Sequence, residues 1–316
     1  MYKDLRIAAV VPAYNEGKLI GKTITTMPAY VDFIVVVNDC STDDTAERAR
    51  AVDDPRVCLI DHDSNTGVGG AIMTGHVRAM ELGADVNVVM AGDAQMDPEF
   101  LPNLLDPICE QGFEFTKANR FFSPTSYRGM PFIRLLGNIA LSFATKVASG
   151  YWNLFDPQNG YTAVRTSALK RIDLSRVRRG YEFENDLLIW LNIANASARD
   201  VPVPAVYGDE ISTMRLHRVA PAIASLLFRG FWRRMFLKYV LASFSPIALL
   251  FFTGLSLILF GFAVGVWVLI ETLGPAIAST GSVLLSVAPL LTGVHMLISA
   301  LILDIQATPD QGRSPH

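Results

Sequence analysis

Two carboxylates and an amide occupy alternate positions of one short segment, at Asp93, Gln95 and Asp97. The segment follows an apolar run at 86–90, a pattern typical of a buried strand. Oxygen ligands on a short turn suit a hard divalent cation that also holds substrate phosphates. The alternative is an acidic loop that only caps a helix beginning near Pro98. The segment alone leaves both interpretations open.

Polar or Gly-rich turn residues also follow the other predicted strands, which favours a ligand site. Each apolar run ends in polar or Gly-rich turn residues and is followed by a helical pattern. This alternation of strands and helices predicts an α/β fold with a doubly wound, mostly parallel sheet and one ligand crevice at its carboxyl edge. The predicted strands lie at 7–11, 33–37, 56–60, 86–90 and 114–118.

Three ordered motifs resemble those of family 2 glycosyltransferases, and they lie at 12–16 (PAYNE), 38–43 (NDCSTD) and 92–98 (GDAQMDP). Two weaker motifs, at 156–161 (DPQNGY) and 180–184 (GYEFE), fit the same family. Within it, the chain looks most like dolichol-phosphate mannosyltransferases and their prokaryotic polyprenyl-phosphate relatives. The resemblance covers residues 5–218 and implies the GT-A fold, a Rossmann-like nucleotide-sugar-binding domain.

The resemblance implies an inverting transfer of a hexose from a nucleotide diphosphate sugar, a GDP- or UDP-hexose, to a polyprenyl or dolichyl phosphate. It also implies Mg²⁺ or Mn²⁺ held by Asp93 and Gln95. One departure concerns this metal, because the relatives often read Asp-x-Asp-x-Gln and the first position here is Ala91. A cation on a diphosphate can take its other ligands from phosphate and water.

The same resemblance assigns donor-binding residues. A carboxylate such as Asp39 accepts ribose hydroxyls or base N–H groups well, whereas Asp43 and Asp97 are expected to cap helices. The expected donor site consists of Pro12, Tyr14, Glu16, Val37, Asp39, Gly92 and Asp93.

The reaction and acceptor groups are expected farther along the chain. Candidate catalytic residues are Asp93, Arg120, Asp156 and Glu184, and candidate ligands of the acceptor phosphate are Arg120, Arg215 and Arg218. Arginine suits a phosphate because its guanidinium can donate two parallel hydrogen bonds. Gly160 would permit close backbone approach to the sugar. Glu184 has an equally good structural interpretation, since it lies at the predicted start of a helix running to about residue 195.

The C-terminal third predicts a membrane anchor. Two uncharged runs are long enough to span a bilayer, at about 242–270 and 283–303. Residues 219–241 predict an amphipathic interfacial helix between the catalytic domain, 1–218, and these spans, and 306–316 form a short tail. Arg229, Arg233, Arg234 and Lys238 precede the first span, so the positive-inside rule predicts a cytoplasmic catalytic domain. The expected location is a cell membrane, and the resemblance implies a prokaryotic one.

The composition narrows the classes of protein that remain possible. A net charge of −3 and the lack of a basic stripe exclude a nucleic-acid partner, and three scattered cysteines give no disulfide framework. Two alternatives stay open: a family 2 enzyme with another lipid or a polysaccharide acceptor, and an inactive membrane adaptor of the same fold. The oligomeric state is also open.

Overall fold

The computed structural model describes residues 1–120, 132–156, 159–204, 216–274 and 278–309, without the side chains of 132–135 and 216–219. The chain divides into two compact units. The first extends from Met1 to Phe231 and also takes in Pro309, and the second extends from Trp232 to Thr308. The predicted boundary at 218 therefore falls inside the first unit as the structure divides the chain.

One seven-stranded sheet organises the first unit, in the order β3-β2-β1-β4-β6-β5-β7. All neighbouring strands are parallel except β6, which runs antiparallel to both β4 and β5. The sheet is therefore mostly parallel, as the sequence predicts. The strands are β1 (Ile7–Ala13), β2 (Phe33–Asn38), β3 (Val57–Asp61), β4 (Val86–Val89), β5 (Phe115–Asn119), β6 (Thr162–Arg165) and β7 (Ala198–Pro202).

Helices cover both faces of this sheet. The described helices of the first unit are α1 (Ile20–Thr25), α2 (Thr45–Arg50), α3 (Val68–Glu81), α4 (Leu101–Gln111), α5 (Phe132–Ser149), α6 (Thr166–Leu169), α7 (Phe183–Ile193) and most of α8 (Leu216–Arg234). Because side chains alternate across a strand, β1 points Ala9 and Val11 towards α1, α2 and α4, and Ala8 and Val10 towards α3. Both faces are thus apolar, and polar residues collect at the sheet edge.

The segment predicted as one amphipathic helix at 219–241 consists of α8 followed by a π-helix at Met235–Leu241. In the first unit, Ile223 and Leu227 of α8 are buried in a cluster with Ala148 of α5 and Ile189 of α7. Part of the apolar face of α8 therefore packs against protein.

The second unit contains a helical hairpin, α9 (Pro246–Leu273) and α10 (Thr280–Gln306). Their most apolar windows have mean hydropathies of 2.5 and 1.9, yet only 22% and 17% of those windows is buried. Helices this long and apolar could span a bilayer, and their exposure distinguishes them from the core helices of a soluble protein. Glycines allow α9 and α10 to pack closely, because a Cβ on Gly254 would lie 2.9 Å from the carbonyl oxygen of Gly293.

A buried ion pair also stabilises the second unit. Arg234 is 0% exposed and donates to both carboxylate oxygens of Asp304, at 2.6 and 3.0 Å, and Tyr239 donates to the same carboxylate. Lys238 is also buried. Of the four basic residues before the first span, two are therefore buried, and Asp304 neutralises one of these two.

Candidate functional site

The carboxyl ends of β1 and β4 meet at Gly92. Its N–H donates to the carbonyl oxygen of Pro12 at 3.1 Å, and Thr23 donates to its carbonyl oxygen at 3.0 Å. A Cβ at Gly92 would lie 3.2 Å from the oxygen of Pro12 and 3.4 Å from Cγ of Glu16. The structure thus brings together Pro12, Glu16 and Gly92, three of the predicted donor-site residues.

The segment after Gly92 forms a tight turn around Asp93. Oδ1 of Asp93 accepts the N–H of Gln95 at 3.0 Å, and Ala94 has a positive φ of 55°. Asp97 accepts the N–H of Glu99 at 2.9 Å, which confirms that Asp97 caps the following helical turn. Burial raises the pKa of Asp93, and the hydrogen bond from Gln95 opposes this rise only in part.

This turn offers oxygen ligands suited to a divalent cation. A partly buried carboxylate with a raised pKa is stabilised in its charged form by a nearby cation, and the Gln95 amide is a second hard donor. The described residues contain no group of three or more His, Cys, Asp or Glu that could hold a metal. A cation at Asp93 and Gln95 would therefore share its coordination with diphosphate oxygens and water.

The loops after β1 and β2 are tied together by side-chain hydrogen bonds. Asp43 accepts the N–H of Gly17 at 3.0 Å and that of Thr45, the first residue of α2, at 3.0 Å. The N-cap position of α2 is Asp44, so Asp43 lies one residue earlier and holds the first N–H of the helix while it also fixes the β1 loop. Tyr14 on that loop keeps 49% of its surface exposed, so its ring is accessible to a ligand.

Asp39 occupies a more structural position than the sequence predicts. It is 3% exposed, and it accepts the N–H groups of Thr66 and Gly67, both at 2.8 Å, while His62 Nδ1 lies 2.8 Å from Oδ1. Burial disfavours its charge, but these hydrogen bonds outweigh burial and lower the pKa of Asp39. Asp39 therefore holds the loop between β3 and α3, a contact that sequence reasoning missed.

Val37 requires a correction. It is 0% exposed and packs in the core with Val10 and Ala71. The physical reason is strand parity, because Val35 and Val37 point to the face that α3 covers. The side chain of Val37 does not line the donor site.

Arg120 and Asp156 form an ion pair in which Asp156 is buried and Arg120 is partly exposed. The guanidinium donates through Nε to Oδ2 at 2.8 Å and through Nη2 to Oδ1 at 3.1 Å, and the backbone N–H of Arg120 adds a third bond at 3.2 Å. The Asp156 side chain is 1% exposed, whereas that of Arg120 is 36% exposed. Asp156 thus orients a cation that remains partly open to solvent.

A second charge pair lies beside the first. Glu184, with its side chain 16% exposed, places Oε2 3.6 Å from Nζ of Lys117, which is 1% exposed. Burial raises the pKa of Glu184, with Lys117 opposing that rise most strongly. Sequence reasoning missed Lys117, although a lysine in the middle of a predicted strand was a signal of an unusual role.

Asn159 and Gly160 lie between these groups and the Asp93 turn. They precede β6, which runs antiparallel between β4 and β5, so its first residues meet the carboxyl ends of both neighbours. A Cβ on Gly160 would lie 3.1 Å from Oε1 of Glu184 and 3.3 Å from Cε of Met96. Four predicted residues, Asp93, Arg120, Asp156 and Glu184, therefore line one edge of the sheet.

The start of α7, which carries Glu184, is positioned by glycines at the start of α3. The N–H of Gly70 donates to the carbonyl oxygen of Arg179 at 3.2 Å, and Gly67 has a positive φ of 84°. A Cβ on Gly69 would lie 2.4 Å from Cβ of Phe183. The close approach of α3 to the residues before Glu184 thus requires glycine at 69.

Replacing Gly69 by Ala should lower the free energy of unfolding by about 1–3 kcal/mol, because the added methyl overpacks the contact with Phe183. Gly21 in α1 is the matched control, since a Cβ there meets nothing within 4 Å. Gly21→Ala should be neutral or stabilising by up to about 1 kcal/mol. Denaturant unfolding of the detergent-solubilised protein measures both values. Equal stability of Gly69→Ala and the wild type would contradict the packing argument.

Two predicted acceptor groups cannot be placed. Arg215 lies outside the described residues, and the side chain of Arg218 also lies outside them. Their assignment to an acceptor phosphate stays a prediction.

Comparison with known proteins gives the family of this chain. Residues 8–173 match the family described as Glycosyl transferase family 2. The chain is 30% identical over 250 residues, covering 74% of this chain and 97% of the relative, to the UDP-N-acetylglucosamine–dolichyl-phosphate N-acetylglucosaminyltransferase of Methanococcus voltae. It is 30% identical over 208 residues, 64% of this chain and 82% of the relative, to the undecaprenyl-phosphate mannosyltransferase of Micrococcus luteus.

Among solved structures, the fold resembles glucosyl-3-phosphoglycerate synthase from Mycobacterium tuberculosis in complex with Mn²⁺, UDP-glucose and phosphoglyceric acid. The TM-score is 0.54 at 21% identity, covering 73% of this chain and 80% of that one. The same enzyme has also been solved with Mg²⁺ and UDP. The chain belongs to glycosyl transferase family 2, and its catalytic fold is of the GT-A type.

Proposed function

We propose that this protein transfers a hexose from a nucleotide diphosphate sugar to a polyprenyl phosphate of the dolichyl or undecaprenyl type, with inversion at the sugar. The observation that carries the proposal is the meeting of the Asp93 turn, the Arg120–Asp156 pair and Glu184 at one sheet edge. Two helices that could span a bilayer follow in the same chain. The names of the two relatives above support a lipid phosphate as the acceptor.

The donor would lie across the ends of β1, β2 and β4. The exposed ring of Tyr14 would stack on the base, while Pro12 and Glu16 border the loop that Gly92 closes. Asp39 acts on the donor site through the Thr66–Gly67 backbone that it holds. A Mg²⁺ or Mn²⁺ ion at Asp93 and Gln95 would neutralise the diphosphate leaving group.

The acceptor phosphate would meet Arg120. Because this phosphate is already anionic near neutral pH, a strong general base is not required. The guanidinium, held by both oxygens of Asp156, supplies an oriented positive charge at the edge of the sheet. Catalysis would then rest on in-line positioning of the two substrates and on stabilisation of the leaving group.

An exposed apolar stripe on α5 supports a lipid acceptor. Leu136, Ile139 and Phe143 follow one another along the helix and are 56%, 57% and 59% exposed. Phe155, which is 58% exposed, directly precedes Asp156 in the chain. Apolar surface of this kind next to a phosphate-binding cation suits a molecule with an anionic head and an isoprenoid tail.

A turnover assay tests this function. Purified protein is incubated with a panel of GDP- and UDP-hexoses, with undecaprenyl phosphate, with the short farnesyl phosphate or with no acceptor. Release of nucleoside diphosphate should require one nucleotide sugar and a polyprenyl phosphate, and the longer lipid should have the lower KM. Absence of acceptor-dependent release with every donor would refute the proposal and favour the inactive adaptor.

The catalytic unit is proposed to face the cytoplasm, with the segment between α9 and α10 outside. The exposed basic residue Arg229 and the absence of Lys and Arg from 271–282 support this orientation. A Cys at Ala278 should react with an impermeant thiol reagent in intact cells after Cys40, Cys58 and Cys109 are replaced. Ala278 is preferred to Ser279, whose side chain caps α10. Labelling only after lysis would contradict this orientation.

A further inference from the structure

Lys117 is a charged residue in the interior of a buried strand. Its side chain is 1% exposed, and in the sheet it pairs with Thr162 of β6 and Asp200 of β7. Removing an ammonium group from water costs several kcal/mol unless close partners compensate. Its partners are the carbonyl oxygen of Asn159, which accepts a hydrogen bond from Nζ, and Glu184, 3.6 Å away.

Both partners border Gly160. Asn159 is its immediate neighbour, and Oε1 of Glu184 lies 3.1 Å from the position that a Cβ on Gly160 would occupy. The same Cβ position would lie 3.3 Å from Cε of Met96 in the Asp93 turn. A single ammonium group therefore connects the backbone turn at Asn159 with the carboxylate at the start of α7.

The charges around Glu184 come from several elements. Burial raises its pKa, Lys117 on β5 lowers it, Asp156 raises it and Arg120 lowers it. Asp200 on β7 acts on the same group of charges, and its own pKa is raised to about 6, chiefly by burial. Of the two cations, Lys117 has the larger effect on Glu184.

We propose that Lys117 is a positioning residue that holds Glu184 ionised and oriented against the Gly160 turn, so that it controls turnover rather than donor affinity. This inference rests on the proposed function, in which the transferred sugar lies between the Asp93 turn and Gly160. An ionised carboxylate there accepts hydrogen bonds from sugar hydroxyls, whereas a protonated one loses part of that capacity.

Lys117→Met keeps the length of the side chain and removes its charge. At neutral pH, kcat should fall by about 10- to 100-fold while the KM for the nucleotide sugar stays within about twofold. Without the cation, Glu184 is harder to ionise, so its pKa rises. The acidic limb of the kcat–pH profile should therefore move to higher pH by at least about one pH unit. Activity should recover in part at alkaline pH.

The other end of β5 provides a matched control. Glu114 is 5% exposed and accepts two hydrogen bonds from Arg171, at 2.7 and 2.9 Å. Arg171→Met also removes the cation of a buried pair on this strand, but that pair lies away from Gly160. Arg171→Met should lower the stability of the protein and leave the acidic limb of the kcat–pH profile unchanged.

A double-mutant cycle with Glu184→Gln isolates the coupling. If Lys117 acts through Glu184, Lys117→Met should reduce kcat little further once Glu184 is already Gln. Lys117→Gln, whose amide can still donate to the Asn159 carbonyl, should show the same movement of the acidic limb and serves if Lys117→Met does not fold.

Two negative outcomes have separate meanings. A wild-type protein that forms no lipid-linked sugar would refute the proposed function itself. An active wild type whose charge-neutral Lys117 variants lose the same fraction of kcat at every pH, or lose it additively with Glu184→Gln, would refute only the role of Lys117.

Discussion

Asp93→Asn should reduce sugar transfer by on the order of 10²–10³-fold, the cost typical of removing one electrostatic stabiliser of a developing charge. The substitution preserves shape and leaves an amide oxygen that can still accept the N–H of Gln95. It removes the only negative charge that the turn offers a divalent cation besides the capping residue Asp97. The measurement is kcat/KM with saturating Mg²⁺ or Mn²⁺.

Asp97→Asn is the matched control within the same turn. Asp97 accepts the N–H of Glu99 as a helix cap, and Asn caps helices about as well as Asp. This variant should therefore keep activity close to that of the wild type. A chelator should abolish the transfer activity of both the wild type and Asp97→Asn, and added Mg²⁺ or Mn²⁺ should restore it. Full activity of Asp93→Asn in the presence of chelator would contradict the metal assignment.

Arg120→Met should produce the second large effect, a loss of about 10- to 100-fold in kcat/KM for the lipid phosphate. A charge-assisted hydrogen bond contributes about 1.5–3 kcal/mol, and removing Arg120 also leaves Asp156 as an uncompensated buried carboxylate. Nucleotide binding, measured by calorimetry, should stay near the wild-type value. Arg120→Lys should rescue little, because an ammonium cannot reproduce the bidentate contact with Asp156.

Arg56 provides the control for this experiment. It donates to both carboxylate oxygens of Asp54, with its side chain 25% exposed, just before β3 begins and so at the amino end of that strand. Arg56→Met should destabilise the fold and leave the KM for lipid phosphate unchanged. If Arg120→Met behaves like Arg56→Met, the acceptor phosphate is held elsewhere.

Local patterns in the sequence were enough to predict much of the fold. The apolar runs that predict strands at 7–11, 33–37 and 86–90 correspond to β1, β2 and β4, because burial on both faces requires uninterrupted apolar residues. Capping by Asp97 follows from an acidic residue directly before Pro98.

Long-range pairing was not accessible in the same way. Nothing local distinguishes β6 as antiparallel, since its direction depends on where the chain re-enters the sheet. Lys117 and Glu184 are 67 positions apart in the sequence, and Arg234 and Asp304 are 70 positions apart. Such ion pairs depend on tertiary packing, so the sequence shows only that an unusual charge is present.

The most direct test of the proposed sugar transfer is the mass of the lipid product. Undecaprenyl phosphate is incubated with the purified protein, the divalent cation and the nucleotide sugar that supports turnover, and the extracted lipid is weighed by mass spectrometry. The expected product is the starting lipid phosphate plus one hexose residue, with the phosphate retained. A lipid unchanged in mass while the nucleotide sugar is consumed, or a product carrying a second phosphate, would contradict it.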